Sequence, residues 1–363
     1  MFIPSLAFGR LIRSFHVCFS LKGPVKILLF LFQNLGANIR RLFALPNGFR
    51  KIFWIVFSTF APSLRKGLMK LKFLFIVFIL PGIFSGIYSQ EKLQYFLNKG
   101  DVFTVSQVAK QSITQEIEGA KHEIVNDISG ILEFKVVDTL ADGFAIDVSF
   151  IDLTMKMTSS IQGELMNVRA QEEDPENIQS RIFHSLLNVP IHITLAKNGD
   201  VLEVQGGDSL VTKMTAASGL QDEFSLNMMK ASLKKEFGSE ALSDSYKQMT
   251  FFYPNEKIQV GDIWENEYQG KLNARNSWTL EALGPENATI YGTADIVMDV
   301  KEPATTMLLE GVQQTSITTD LKSGFILKMT VEGFSKGYSS MAQMGEQKIP
   351  TTISSTVTYE LIQ

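Results

Sequence analysis

Ninety residues pass before the chain places its first carboxylate, at Glu91. Residues 1–90 hold 12 Lys and Arg; the other 22 Lys and Arg and all 38 Asp and Glu come later. The front is therefore +12 and the remainder −16, and 15 of the 27 Phe also lie in that front quarter. A single soluble fold does not sort charge and aromatic content in this way, so the two parts have different tasks.

The segment from Met69 has an ordered layout. Lys70 and Lys72 precede an unbroken apolar run, Phe73–Leu80, which Pro81 and Gly82 interrupt before Ile83 and Phe84. Ser85, Gly86 and Ser89 then supply small residues ahead of polar Gln90. This is the arrangement of a secretory signal peptide over residues 69–89, with cleavage expected between Ser89 and Gln90. A spanning helix needs about 20 consecutive apolar residues, more than this run supplies. In residues 1–68, basic residues break up short apolar bursts such as Ile27–Phe32 and Ile52–Phe57. A signal peptide lies at the amino terminus of its protein, so we expect translation from Met69 and a leader, residues 1–68, that the cell does not make. The other reading of that leader is a cationic membrane-surface segment, the one place where the chain is expected to touch a membrane.

The only cysteine, Cys18, falls in the leader, so residues 90–363 have no disulfide and no thiol nucleophile. No Cys follows the apolar run to take a lipid anchor. A charge of −16 disfavours nucleic acid and anionic lipid as general partners, both being polyanions. The expectation is an exported protein of the periplasm or cell surface.

Two stretches of the mature chain look alike. Lys99-Gly100-Asp101-Val102-Phe103 opens the first and Val260-Gly261-Asp262-Ile263-Trp264 the second. Each runs through polar–apolar alternation and a turn to a Gly-bearing hairpin signal, Asn198-Gly199 and Ser323-Gly324, where a tight hairpin requires positive φ. Phe144, Ile146, Val148 and Phe150 share one face of a strand, as do Ile353, Ser355, Val357, Tyr359 and Leu361 near the carboxyl end. Helical patterns interrupt twice. Asp174-Pro175 reads as a cap and first turn before the stripe Ile178, Ile182, Phe183, Leu186 and Leu187. Between the halves Asp208 reads as the cap of Leu210–Ala217. Gln221–Phe237 is expected to turn Phe224, Met228 and Leu233 inward, and Ser239 caps a last piece. The expected fold is β-dominated α+β: two related curved antiparallel units, residues 90–206 and 254–363, with a helical connector over 207–253.

The stretch Phe252–Trp264, the Asn-Gly-Asp-Val hairpin and the Lys-Gly-Asp-Val-Phe opening together resemble an uncharacterised exported family of Bacteroidota, a domain of unknown function. The resemblance covers roughly residues 93–362 and implies export and a β-rich fold, with no assigned activity. It also makes Asp138-Thr139-Leu140 and Asp208-Ser209-Leu210 resemble the O-glycosylation sequon of exported Bacteroidota proteins, with Thr139 and Ser209 as the acceptors.

No catalytic constellation emerges. Gly333-Phe334-Ser335-Lys336-Gly337 spells a nucleophile elbow, but no His follows His192 and its flanks read as sheet. His122, His184 and His192 are scattered, and nothing in their spacing calls for a metal or cofactor. Asp101 and Asp262 recur at equivalent places, where an Asp after Gly ordinarily bonds its own turn backbone. Methionine stands out, because thioethers are over-used at surfaces that accept varied apolar partners. Met155, Met157, Met214, Met228, Met298 and Met329 are the candidates to line a hydrophobic groove between sheet and helices. The leading expectation is a non-catalytic module holding an apolar small molecule or lipid, followed by a structural or assembly protein with an envelope-protein partner. The third is a hydrolase working through two carboxylates, which requires an acid of strongly raised pKa.

Overall fold

The computed structural model describes residues 90–302, 305–342 and 347–362. The leader, the signal segment with Ser89, and Cys18 lie outside the described residues, of which Gln90 is the first and is exposed. The first half contributes β1 (Val102–Ile117), β2 (Ala120–Leu140), β3 (Gly143–Ser159), β4 (Gly163–Arg169), β5 (Ile191–Ala196) and β6 (Val201–Gln205). The second contributes β7 (Ile263–Tyr268), β8 (Leu272–Leu283), β9 (Asn287–Glu302), β10 (Thr305–Asp320), β11 (Ile326–Met341) and β12 (Ile349–Leu361). Alternation drives these strands: Phe144, Ile146, Val148 and Phe150 are buried while their neighbours are more open. Along the opposite face of β1, Thr104, Ser106, Lys110, Ser112 and Thr114 point away from that core.

The β-dominated fold expected from the sequence is what the chain adopts, and the two halves are parts of one sheet. All strands pair antiparallel in a 12-stranded open sheet of order β6-β5-β3-β2-β1-β12-β11-β10-β9-β8-β7, with β4 beside β3. The carboxyl-terminal β12 lies against β1 and joins the halves, with Ala109 opposite Val357. Each half repeats the same meander in the same order around the sheet, β1-β2-β3-β5-β6 and then β7-β8-β9-β10-β11. The first half is longer because β4 and helix α1 (Ile178–His184) are inserted between its third strand and its hairpin. The likeness extends to single hydrogen bonds. The Gly100 N–H donates to Val136 O, and Val136 N–H returns to Asp101 O; Gly261 and Leu280, with Asp262, repeat the exchange.

The two hairpin turns meet the same short segments. Adjacent amides of Tyr95 and Phe96 donate to Lys197 O at 2.8 Å and Ser323 O at 2.7 Å. From the other side, Thr250 Oγ1 donates to Gly199 O and Tyr253 OH to Gly324 O, both at 2.7 Å. Rings fill the space between: Tyr253 meets the edge of Tyr95 at 5.3 Å, and Phe103 stacks on Phe325 at 4.1 Å. Gly199 and Gly324 have φ of 91° and 70°. A Cβ on either would collide with backbone, that of Thr250 or of Gln94 and Tyr95. Only glycine meets both demands.

The connector helices α2 (Gly207–Ala217), α3 (Glu223–Phe237) and α4 (Ser239–Thr250) lie where the sequence puts them, with corrections to caps and to one face; Ser239, expected as a cap, is the first residue of α4 behind Gly238. Asn177 caps α1, accepting from the Gln179 and Ser180 amides, while Asp174 serves the turn before it. Helix α2 starts at Gly207 behind Gly206, so Asp208 sits in the first turn, where a negative charge suits the helix dipole. On α3 the buried stripe is Met229, Leu233 and Phe237, and Phe224 and Met228 face outward, 68% and 46% exposed. Both sets have spacing of four, and the one that meets the core wins. Helix α4 packs against both β6 and β7, the two ends of the strand order, so the sheet curls until one helix touches both edges.

Replacing Gly199 or Gly324 by Ala is expected to cost about 2–4 kcal/mol, as strain combines with loss of the turn's hydrogen bonds. Gly119→Ala is the control: its φ of 79° is as positive, but its Cβ would meet nothing within 4 Å. Urea unfolding of the three variants measures the difference.

Candidate functional site

The inward face of the sheet is built by alternation, and on β1 it carries a second pattern. Val105, Ala109 and Ile113 alternate along this face with Gln107, Gln111 and Gln115. Register extends the Gln111 position sideways. Asn126 of β2 lies opposite Gln111, Met157 of β3 opposite Asn126, and Ser355 of β12 on the other side of Gln111. The row continues through Gly333 and Gln313 to Ala294, Asn276 and Asn266 on β7. Uncharged amides and small side chains thus run from β2 through β1 and β12 to β7 on the inner face, with Met157 of β3 at the end of the row.

Apolar rows flank this one. Met155, Ile128, Ala109, Val357 and Val331 lie side by side above it. Ile124, Ile113 and Ile353 lie below. Burial makes the polar row costly unless its members are paired. Asn126 Nδ2 donates to Gln111 Oε1 at 3.1 Å, and Asn276 Nδ2 to Asn266 Oδ1 at 3.0 Å. Trp278 Nε1 donates to the same Asn266 oxygen, and the Asn266 amide donates to Phe251 O at 2.7 Å, tying the row to the connector. Asn126 is 2% exposed, and its Oδ1 accepts no hydrogen bond. Four residues closer to the β1–β2 turn than Gln111, Gln115 donates to Ser339, which shares a 2.7 Å hydrogen bond with Thr351.

The residues singled out in the sequence distribute unevenly about this face. Met155, Met157, Met214, Met298 and Met329 are buried in the core, and Met157 stands in the polar row itself. Met228 is on the outer side of α3, away from them, for the packing reason given above. Thr139 and Ser209 are exposed, the first near the end of β2 and the second in the first turn of α2. Asp101 and Asp262 each accept from their own turn, from the Asn98 amide at 2.7 Å and the Gln259 amide at 3.0 Å. Ser335 lies inside β11 between Gly311 and Ile353, with no helix beside it to make an elbow. His122, His184 and His192 are on β2, α1 and β5.

The amide row escaped the sequence reading because each strand contributes one member and register alone unites them. The glutamines of β1, every fourth residue on an inward face, were the available signal. One carboxylate is also unusual. Burial pushes Glu236 of α3 up to about 7, against the pull of the Lys271 ammonium 2.8 Å away; Glu302 nearby reinforces the rise. Lys235 reaches Glu302 at 3.3 Å.

A family model described as a family of unknown function (DUF6263) matches residues 141–326, about half of the chain. No curated protein matches it. A lipovitellin structure concerned with lipid–protein interactions is 9% identical with a TM-score of 0.41, covering 76% of this chain. This chain spans 26% of that one. The COG4313 outer membrane channel from Pseudomonas putida F1 is 7% identical with a TM-score of 0.23, covering 77% of this chain and 100% of that one. Both scores lie below the level at which two chains share a fold.

Glu236 sets an expected pH dependence. A carboxyl raised from 4.5 to about 7 binds its proton more tightly folded than unfolded, so its contribution to stability is complete in acid and declines between those values. Glu236→Gln should therefore match the parent at pH 4 and exceed it at pH 8, by on the order of 2 kcal/mol. Denaturant midpoints at the two pH values test this.

Proposed function

The chain belongs to the family of unknown function DUF6263, a membership that carries no activity, and we propose that it is an exported, non-catalytic envelope protein holding an apolar ligand such as a lipid against the inner face of its sheet. The observation that carries the reading is the make-up of that face: apolar rows rich in Met, Ile and Val on either side of a band of uncharged polar groups. Thioethers adapt to acyl chains of varied shape, and the amides give a ligand's polar end a place to bond. Export is supported by the signal-like layout of residues 69–89. On the resemblance noted in the sequence, our reading takes the source to be Bacteroidota and the compartment to be the periplasm or cell surface.

A second reading, an assembly protein with a fixed envelope partner, draws on the outer face. There Leu308 stands opposite Tyr338 and Val312 opposite Phe334, all about half exposed. A carboxylate hydrolase has less behind it. Asp101 and Asp262 are engaged by their own turns; of the two acids that burial raises, Glu236 is bound to Lys271, and Asp244 on α4 has Glu240 as its acidic neighbour and Lys247 and Lys271 pulling the other way.

Native mass spectrometry of protein purified from its own envelope tests the proposal. The expected result is a chain beginning at Gln90 with a lipid-sized adduct that organic extraction removes. A ligand-free chain still carrying Met69–Ser89 would overturn both the binding and the export.

A further inference from the structure

The outer face of the sheet is polar along β1, where Thr104, Ser106, Lys110, Ser112 and Thr114 project around Val108. Two adjacent strands of the second half depart from this pattern. Leu308 and Val312 of β10 and Phe334 and Tyr338 of β11 are about half exposed on the same face. Register sets Leu308 opposite Tyr338 and Val312 opposite Phe334, with Glu310 opposite Lys336 in the row between. The four apolar side chains are therefore the corners of a block two strands wide, with one exposed acid and one exposed base at its centre. A single exposed apolar residue needs no explanation, whereas four that register gathers mark a contact surface.

The block is complementary to itself. Consider a second copy laid outer face to outer face, related by a twofold axis that runs parallel to the strands and between β10 and β11. That operation sets β10 of each copy over β11 of the other, row by row. Leu308 then meets Tyr338 of the other copy, Val312 meets Phe334 and Glu310 meets Lys336, and each contact is made twice, as isologous pairing requires. One strand further out, Asp299 of β9, opposite Leu308, approaches Lys348, which stands 5.6 Å over the Tyr338 ring. A twofold axis across the strands would instead set Glu310 on Glu310 and Lys336 on Lys336, so charge selects the first arrangement. Its strand directions coincide, which suits aligned sheet packing. The face is also large enough. Five strands, β8 to β12, at about 4.8 Å spacing and about ten residues each cover roughly 24 by 33 Å, near the roughly 800 Å² per partner of a stable interface.

We propose that the outer face of β9–β12 is a self-association surface on which two copies of this chain pack sheet against sheet, with Glu310 and Lys336 in reciprocal contact. The proposal is independent of any ligand on the inner face, and it puts a copy of the chain where the second reading above puts an envelope protein.

Charge reversal tests it, read by sedimentation equilibrium on the chain as the cell makes it. The parent is expected to form dimers at about micromolar concentration. Glu310→Lys and Lys336→Glu should each weaken the dimer by about tenfold or more, because like charges then meet at both contacts. Mixing the two variants should restore dimers of unlike chains to near the parent affinity, since an acid again faces a base at both contacts. Each variant still holds two like charges side by side in its own sheet, so pairing within a chain does not produce that rescue. Phe334→Ser should weaken association by a similar factor. A parent chain that stays monomeric at about 100 µM would overturn the proposal. A dimer indifferent to both reversals, or a mixture of the two variants that stays monomeric, would overturn it as well.

Discussion

The structure depends on a clasp between two turns. Gly199 and Gly324 close equivalent hairpins in the two halves, and each turn is held from both sides. The Tyr95–Phe96 amides reach one carbonyl in each turn, and Thr250 and Tyr253 bond the glycine carbonyls themselves. Such bonds are worth about 1 kcal/mol each and the aromatic contacts around them a similar amount. Their value is greater than their sum because they join parts of the chain that the strand ladder leaves separate. Edge strands β6 and β7 do not pair with each other, and α4 and residues 251–253 between them, with the Tyr95–Phe96 segment, link the two ends of the sheet.

Curling has a consequence for chemistry. A flat sheet with a Gln at every second inward position would expose those amides to water, where they would recognise nothing in particular. In the curled sheet Gln107 and Gln111 are buried, Gln111 accepts from Asn126 and Gln115 donates to Ser339, so the amides make an uncharged polar band in an apolar surround. Asn266 links the two features, since its amide both completes the row and holds the Phe251 carbonyl at the sheet edge. The insertion of β4 and α1 enlarges only the first half, and it brings Met166 opposite Met157 at the start of the same row. The two halves share a frame of strands, and the insertion in one of them makes the interior asymmetric.

Much of this was legible where the signal is local. The Gly-Asp turns, the Asn-Gly and Ser-Gly hairpins and the period-two strands depend on neighbours in sequence, and they fold as their residues dictate. The motifs that carried the family resemblance are the clasp: Phe252 and Tyr253 lie in it, Phe103 stacks on Phe325, and Trp264 Nε1 donates to Phe252 O. What stayed hidden was non-local. That β12 returns to β1 is decided by pairing across most of the chain, so the sequence reads as two units where the strands form one sheet. Helix α3 offers two apolar stripes of equal spacing, and only the position of the core decides for Met229 over Met228. The amide row has no sequence motif at all, because its spacing exists only across strands.

Native-state hydrogen exchange at two amides tests the clasp most directly. If Tyr95 and Phe96 hold the hairpins together, their N–H groups should exchange only with global unfolding, at the same free energy as Ala109 and Val357 in the central strands. Exchange at those two positions by local fraying, several kcal/mol below the central strands, would show the segment to be a loose terminus and the closure of the sheet to rest elsewhere.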